Sequence, residues 1–281
     1  MPSMRAESRF VQPAGFSGTA DVARREVSAT AYARQMAATG MFFLLGITAS
    51  PVCWLLWKAS GGRIPATAGQ KFNRWLYRVF LQWMRLTGTL RLETDGLESL
   101  GNLKGTLIVS NHPALLDVLL LTSLLPPTAC VMRAGLLKNP ALSGCARLAG
   151  YVTNDSGPAL VRQGIEKIRA GQNLLVFPEG TRTVSRAVNP FKEGFALIAL
   201  RTGAPVQTLL IEHPGRHLTK GVSLFSTAEL PLHFTVRRGE TFVPEPGESA
   251  RDFSLRLESY YSDRLENSGR GIVFKSNLPG H

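Results

Sequence analysis

The sequence is short of acid: 20 Asp and Glu stand against 32 Lys and Arg in 281 residues, a formal net charge of +12. Such an imbalance calls for an anionic partner, and charge alone leaves nucleic acid, an anionic membrane and an acidic substrate or carrier protein open. Cysteine is scarce too. Cys53, Cys130 and Cys145 are odd in number, widely spaced and without a C-x-x-C, so no disulfide framework is expected and a reducing compartment fits. Each sits among apolar neighbours with no histidine close in sequence, which argues against a catalytic thiol. No Gly-x-Ser-x-Gly occurs, which removes the nucleophile elbow of serine esterases. His213 and His217 have a four-residue spacing, but Pro214-Gly215 between them prevents the helix that would align them on zinc, and no metal is expected. Repeats and low-complexity tracts are absent.

Charge is missing altogether from Gln35 to Trp57, QMAATGMFFLLGITASPVCWLLW, 23 residues, enough to cross a bilayer core of about 30 Å. Pro51 leaves two geometries open: a kinked spanning helix, or two shorter helices forming a hairpin that dips into one leaflet. A buried core helix is the soluble alternative. Ala66-Thr67-Ala68 resembles a signal cleavage site, yet about 35 residues precede the apolar run, too many for a charged n-region. Acid is absent again from Lys58 to Arg91, which carries seven Lys and Arg interleaved with Trp75, Tyr77, Phe80, Trp83 and Met84. That mixture beside an apolar segment reads as a membrane-interface helix, so the partner is an anionic membrane lipid and not nucleic acid. The basic load lies on the C-terminal side of the apolar run. By the positive-inside rule this places the following domain on the cytoplasmic face of an inner membrane.

Four regions follow: a mobile tail over 1–34, the apolar and interfacial segment over 35–91, a catalytic domain over 92–270 and a C-terminal tail over 271–281. Within the third, short apolar strands alternate with helices: strand 106–110, helix 113–125, strand 128–132, helix 139–148, a short strand near 150–153, helix 157–170, strand 173–177, helix 192–202 and strand 206–211. The expected fold class is α/β, a largely parallel or mixed sheet flanked by helices and preceded by the membrane-anchoring segment. Leu232–Val236 and Glu240–Val243 read as strands joined through Arg237-Arg238-Gly239, with a closing amphipathic helix over Ser249–Glu266.

The chemistry concentrates at Thr106 to Asp117, TLIVSNHPALLD. An apolar strand ends at Asn111, a candidate helix cap, with Pro113 suited to a first helical position. In a regular helix His112 and Asp117 would be about 140° apart, from about 100° per residue, so their contact needs an irregular strand-to-helix turn. Given that turn, Asp117 orients one imidazole nitrogen and the other takes a proton. A second strand, Asn173–Phe177, ends in Pro178-Glu179-Gly180-Thr181-Arg182. There glycine lets backbone N–H groups approach an anion and Arg182 offers a planar fork for phosphate or carboxylate. The turns at Asn111–Ala114 and Gly180–Thr181 are both candidates for oxyanion donors.

Asn111-His112-x4-Asp117 with Phe177-Pro178-Glu179-Gly180-Thr181-Arg182, in this order and at this spacing, closely resembles the glycerolipid acyltransferase family that includes the 1-acylglycerol-3-phosphate acyltransferases. The resemblance covers roughly residues 70 to 245, and Phe191-Lys192-x-Gly194 and Gly203-Ala204-Pro205-Val206 are also similar to family features. It implies a membrane-associated enzyme moving a fatty acyl group from acyl carrier protein or coenzyme A, a co-substrate and not a resident cofactor, to a hydroxyl of a lysolipid acceptor. It implies His112 and Asp117 as catalytic residues, with Glu179, Gly180, Thr181 and Arg182 positioning the acceptor or bracing the site and Lys192 adding charge. One departure stands out. Members that use lysophosphatidate usually end the block between the motifs in an arginine that holds the acceptor phosphate, whereas here it reads Gly150-Tyr151-Val152-Thr153-Asn154-Asp155. Arg162 is the next arginine along, and the segment is more similar to acyltransferases of aryl-polyene or related lipid pathways, which points to a non-phosphate acceptor as the alternative. A catalytically silent membrane scaffold is the non-enzyme alternative.

Overall fold

The computed structural model describes residues 29–267, apart from 155, 185, 186, 216, 224, 227 and 228. Most of the expected tail over 1–34 and all of that over 271–281 lie outside this set, but Ala29 already belongs to the first helix. Helix α1 (Ala29–Ala59) runs unbroken through Pro51. The hairpin alternative is therefore not the observed geometry. Helix α2 (Ala66–Leu86) follows, amphipathic, burying Leu76, Phe80, Leu81 and Met84 while Lys71, Arg78, Arg85 and Trp75 face outward.

The sheet has seven strands in the order β1-β7-β6-β2-β5-β3-β4: β1 (Leu90–Asp95), β2 (Leu107–Ser110), β3 (Thr128–Met132), β4 (Val152–Thr153), β5 (Asn173–Val176), β6 (Val206–Glu212) and β7 (Leu232–Phe242). Pairing is parallel except between β6 and β7. Strand β1 was not foreseen, because LRLETD buries only its first residue and shows no apolar run. The two strands expected at 232–236 and 240–243 are one. Gly239 continues the strand there because Thr208 Oγ1 and Tyr260 Oη pack where a side chain would go.

The central strands read as unbroken apolar runs because both sheet faces are covered. Ile108, Cys130, Leu175 and Leu209 point toward α2 and α3 (Asp117–Leu124); Leu107, Val109, Leu174 and Val176 point toward α5 (Gly157–Arg169), α6 (Gly194–Thr202) and α7 (Ala250–Asn267). Helix α7 is pinned from within the sheet: the buried Tyr261 hydroxyl donates to the Val109 carbonyl (2.8 Å) and accepts from the Leu209 amide (3.2 Å). Helix α4 (Pro140–Leu148) receives α1. A Cβ on Gly144 would fall 1.8 Å from the Ser50 carbonyl oxygen, so only glycine lets these backbones meet. Cys145 Sγ and Cys53 Sγ, 92 residues apart in sequence, lie 3.6 Å from each other across this contact as free thiols. The segment over 35–91 is thus packed onto the α/β sheet and its helices.

One described helix, α1, is long and apolar enough to cross a membrane. Leu44, Ile47 and Leu55 on this helix are each about 60 % exposed.

Candidate active site

The two motifs meet at the C-terminal ends of β2 and β5, neighbouring parallel strands. The connection from β2 runs to β3 on one side and that from β5 to β6 on the other, which opens the crevice where α/β sheets bind ligands. After β2 the chain does not enter a helix directly. Residues 113–116 form a turn and the helix begins at Asp117, so Pro113 is not its first residue. Asn111 does not cap it either: its side-chain amide donates to the Ile211 carbonyl and accepts from the Ile211 amide, both at 2.8 Å, extending the β2–β6 pairing by one position.

That irregular turn brings the pair together. Asp117 Oδ2 lies 2.8 Å from His112 Nδ1 and accepts the Ala114 amide at 2.7 Å. Asp117 is fully buried, and burial pushes its carboxyl above the usual carboxylate range against the bond from His112. A carboxylate on Nδ1 fixes the tautomer with its proton there, which leaves Nε2 to accept. The ring stacks on Phe177 at 4.4 Å and lines a cavity of about 410 Å³.

Glu179 acts as a brace. Its Oε1 accepts from the His112 amide (2.9 Å) and the Thr183 hydroxyl (2.8 Å), and its Oε2 from the Asn189 amide (2.8 Å). The Thr183 amide in turn donates to the His112 carbonyl at 2.8 Å. The second motif thus holds the histidine by both its backbone groups, and the Glu179 carboxylate faces these donors instead of the cavity. Burial raises its pKa, opposed by those bonds. Gly180 adopts φ +66°, and Gly180, Thr181 and Arg182 line the cavity beside His112. Arg182 Nη1 is committed to the carbonyls of Leu218 (2.8 Å) and Thr219 (2.9 Å). Lys192 stands outside the wall, its Nζ over Gly180. Of the two candidate oxyanion turns the first is spent: the His112 amide serves Glu179, the Ala114 amide serves Asp117, and Pro113 has none. The Thr181 amide has no partner among the described residues.

The wall also contains residues that sequence reasoning passed over. Arg133 and Lys220 add positive charge, Phe42 of α1 and Leu119 form an apolar side, and Tyr151 and Asn154 come from the departed block. Arg133 was findable, since it directly follows β3 at the same sheet end as the motifs. Arg162, the replacement considered from sequence, is exposed on α5 and absent from the wall. Burial pushes the Cys130 thiol in the wall up to about 12, so it stays neutral at pH 7. His213 is buried against carbonyl oxygens, its Nδ1 2.8 Å from that of His233 and its Nε2 2.9 Å from that of His217, while the His217 ring meets the side chains of Gln35 (3.5 Å) and Ser226 (3.4 Å). No group of three or more His, Cys, Asp and Glu that could hold a metal occurs among the described residues.

Comparison with known proteins agrees with this architecture. The family model described as Acyltransferase matches residues 91–212. A 1-acyl-sn-glycerol-3-phosphate acyltransferase of Pseudomonas aeruginosa is 29% identical over 239 residues, 81% of this chain and 90% of that protein. A lyso-ornithine lipid O-acyltransferase of the same organism is 29% identical over 60% of this chain and 66% of that protein. The crystal structure of the 1-acyl-sn-glycerophosphate acyltransferase PlsC of Thermotoga maritima superposes with a TM-score of 0.67 at 22% identity, covering 85% of this chain and 98% of that one, which establishes the shared fold. Against relatives from Cocos nucifera and Brassica napus the match spans only 56% and 46% of their length. Both motifs thus converge on one crevice of the shared fold, within the residues 91–212 that match the Acyltransferase family model.

Proposed function

We propose that this protein is a membrane-associated O-acyltransferase that moves a fatty acyl group from a thioester of acyl carrier protein or coenzyme A to the hydroxyl of a lysophospholipid-type acceptor such as 1-acylglycerol-3-phosphate, for phospholipid synthesis. The observation that carries it is the His112–Asp117 contact at 2.8 Å with the second ring nitrogen left to a cavity that is apolar on one side and cationic on the other. In the reaction, His112 Nε2 takes the proton of the acceptor hydroxyl as its oxygen attacks the thioester carbonyl. Asp117 holds the Nδ1 proton and stabilises the imidazolium. The Thr181 amide, beside a left-handed Gly180, donates to the developing oxyanion. Collapse breaks the carbon–sulfur bond, and the thiolate leaves with the proton from His112. No acyl-enzyme forms and no resident cofactor takes part.

Arg133 and the remaining fork of Arg182 hold the acceptor's anionic group, while Phe42, Leu119 and their apolar neighbours take an acyl chain. Helices α1 and α2 seat the enzyme on the cytoplasmic face of the inner membrane, with the outer apolar face of α1 in lipid and the basic, Trp-bearing face of α2 at anionic headgroups. Solubilised protein offered acyl-carrier-protein and coenzyme A thioesters against lysophosphatidate tests this. Phosphatidate is the expected product, and no product from folded protein with either donor would overturn the phosphate-bearing acceptor. A second reading rests on Asn154 standing in the wall where the family usually has arginine. It makes the acceptor a carboxylate-bearing lysolipid, and turnover of that lipid alone would establish it.

A further inference from the structure

We propose that Lys220 is a specificity-determining residue that holds the anionic group of the acceptor, in place of the arginine missing after Val152-Thr153; this rests on the acyl-transfer reading above. Three separate elements grip the backbone just before it. His213, stacked on Phe234 at 4.2 Å, bonds the His217 carbonyl through Nε2 at 2.9 Å. The Leu115 amide, in the turn between His112 and Asp117, donates to the Leu218 carbonyl at 3.0 Å. Arg182 Nη1 takes the carbonyls of Leu218 and Thr219 together. Leu218 itself has φ +67°, and no other non-glycine residue among those described has a positive φ. A leucine in this left-handed region is strained and persists only where its surroundings over-determine it.

The outcome of that strain is positional. Three successive carbonyls are fixed to the catalytic turn, to the second motif and to a buried ring, and the next residue, the exposed Lys220, lines the cavity. Arg182 is thereby partly diverted from substrate to the loop, and Lys220 supplies the charge it no longer delivers in full. With Arg133 and Arg182 it makes a three-cation rim, and no Asp or Glu occurs among the described residues of the wall. A phosphate or a carboxylate on the acceptor satisfies the same rim.

Binding of lysophosphatidate, of an N-acyl amino-acid lipid bearing a carboxylate and of neutral monoacylglycerol in detergent micelles, alongside acyl-transfer kinetics, tests the assignment. Lys220→Glu is expected to weaken binding of the anionic lipid, and raise its KM, about tenfold or more, with kcat at saturation and monoacylglycerol binding unchanged. Lys220→Arg should restore binding to near wild type. Lys104→Glu, the same charge change at the opposite end of β2, should have no effect. Whichever anionic lipid depends on Lys220 identifies the group as phosphate or carboxylate. Lys220 variants that bind anionic lipid as wild type does, or a wild type that binds it no better than monoacylglycerol, would overturn the inference. Lys220-dependent binding without transfer from either thioester would instead overturn the acyl-transfer reading and leave this one standing.

Discussion

At the scale of single residues the site depends on two buried carboxylates held for different reasons. Asp117 is paid for in desolvation and returns orientation. Because burial raises its pKa, the folded protein binds that proton more tightly than the unfolded chain does. The stability it contributes is full at acid pH and is lost as pH rises through the folded value. Asp117→Asn removes that charge while keeping an acceptor oxygen. Urea unfolding at pH 7 should find it at least as stable as wild type, with acyl transfer down by roughly 10³–10⁴ as the wrong tautomer is populated. Glu179→Ala should behave oppositely. It strips a partner from the His112 and Asn189 amides and the Thr183 hydroxyl, so a loss on the order of 3 kcal/mol in the same unfolding measurement is expected, together with loss of activity.

At the scale of elements, two contacts set the shape of the cavity. Gly144→Val places a branched side chain where the Ser50 carbonyl lies, and α1 should part from α4, opening the wall that Phe42 and Leu142 form. Limited proteolysis between α1 and α2 should accelerate while membrane binding persists. Tyr261→Phe leaves a carbonyl and an amide unpaired between β2 and β6 and should cost about 1–3 kcal/mol by denaturant titration. How far such elements were legible in the sequence depends on whether their signal was local. Strands β2, β3, β5 and β6 announced themselves because burial on both faces demands unbroken apolar runs. The pairing of His112 with Asp117 was legible because both sit in one strand-to-helix turn. Strand β1 is a half-exposed edge with no apolar period. The Gly144–Ser50 contact, the Cys53–Cys145 juxtaposition and the arrival of Arg133 and Lys220 at the site all join residues far apart in the chain, and only the fold brings them together. Asn111 and Pro113 misled because a cap and a first-turn proline look the same whether the helix starts at once or four residues later.

At the scale of the whole molecule, the membrane attachment proposed above divides between the excess of positive charge, which would attract, and the exposed apolar face of α1, which would retain. In salt on the order of 1 M, where the Debye length falls to about 3 Å, the protein should stay in the membrane fraction and leave it only with detergent; release by salt alone would show that α1 does not enter lipid. The central claim is that the imidazole of His112 moves the proton in a direct transfer. The most direct test compares acyl transfer by wild type and His112→Ala, each shown to be folded and lipid-bound. The account predicts turnover by wild type and a variant reduced at least a thousandfold, within the range of general base loss in triad-type sites. A His112→Ala protein that keeps more than a few per cent of wild-type activity would contradict it.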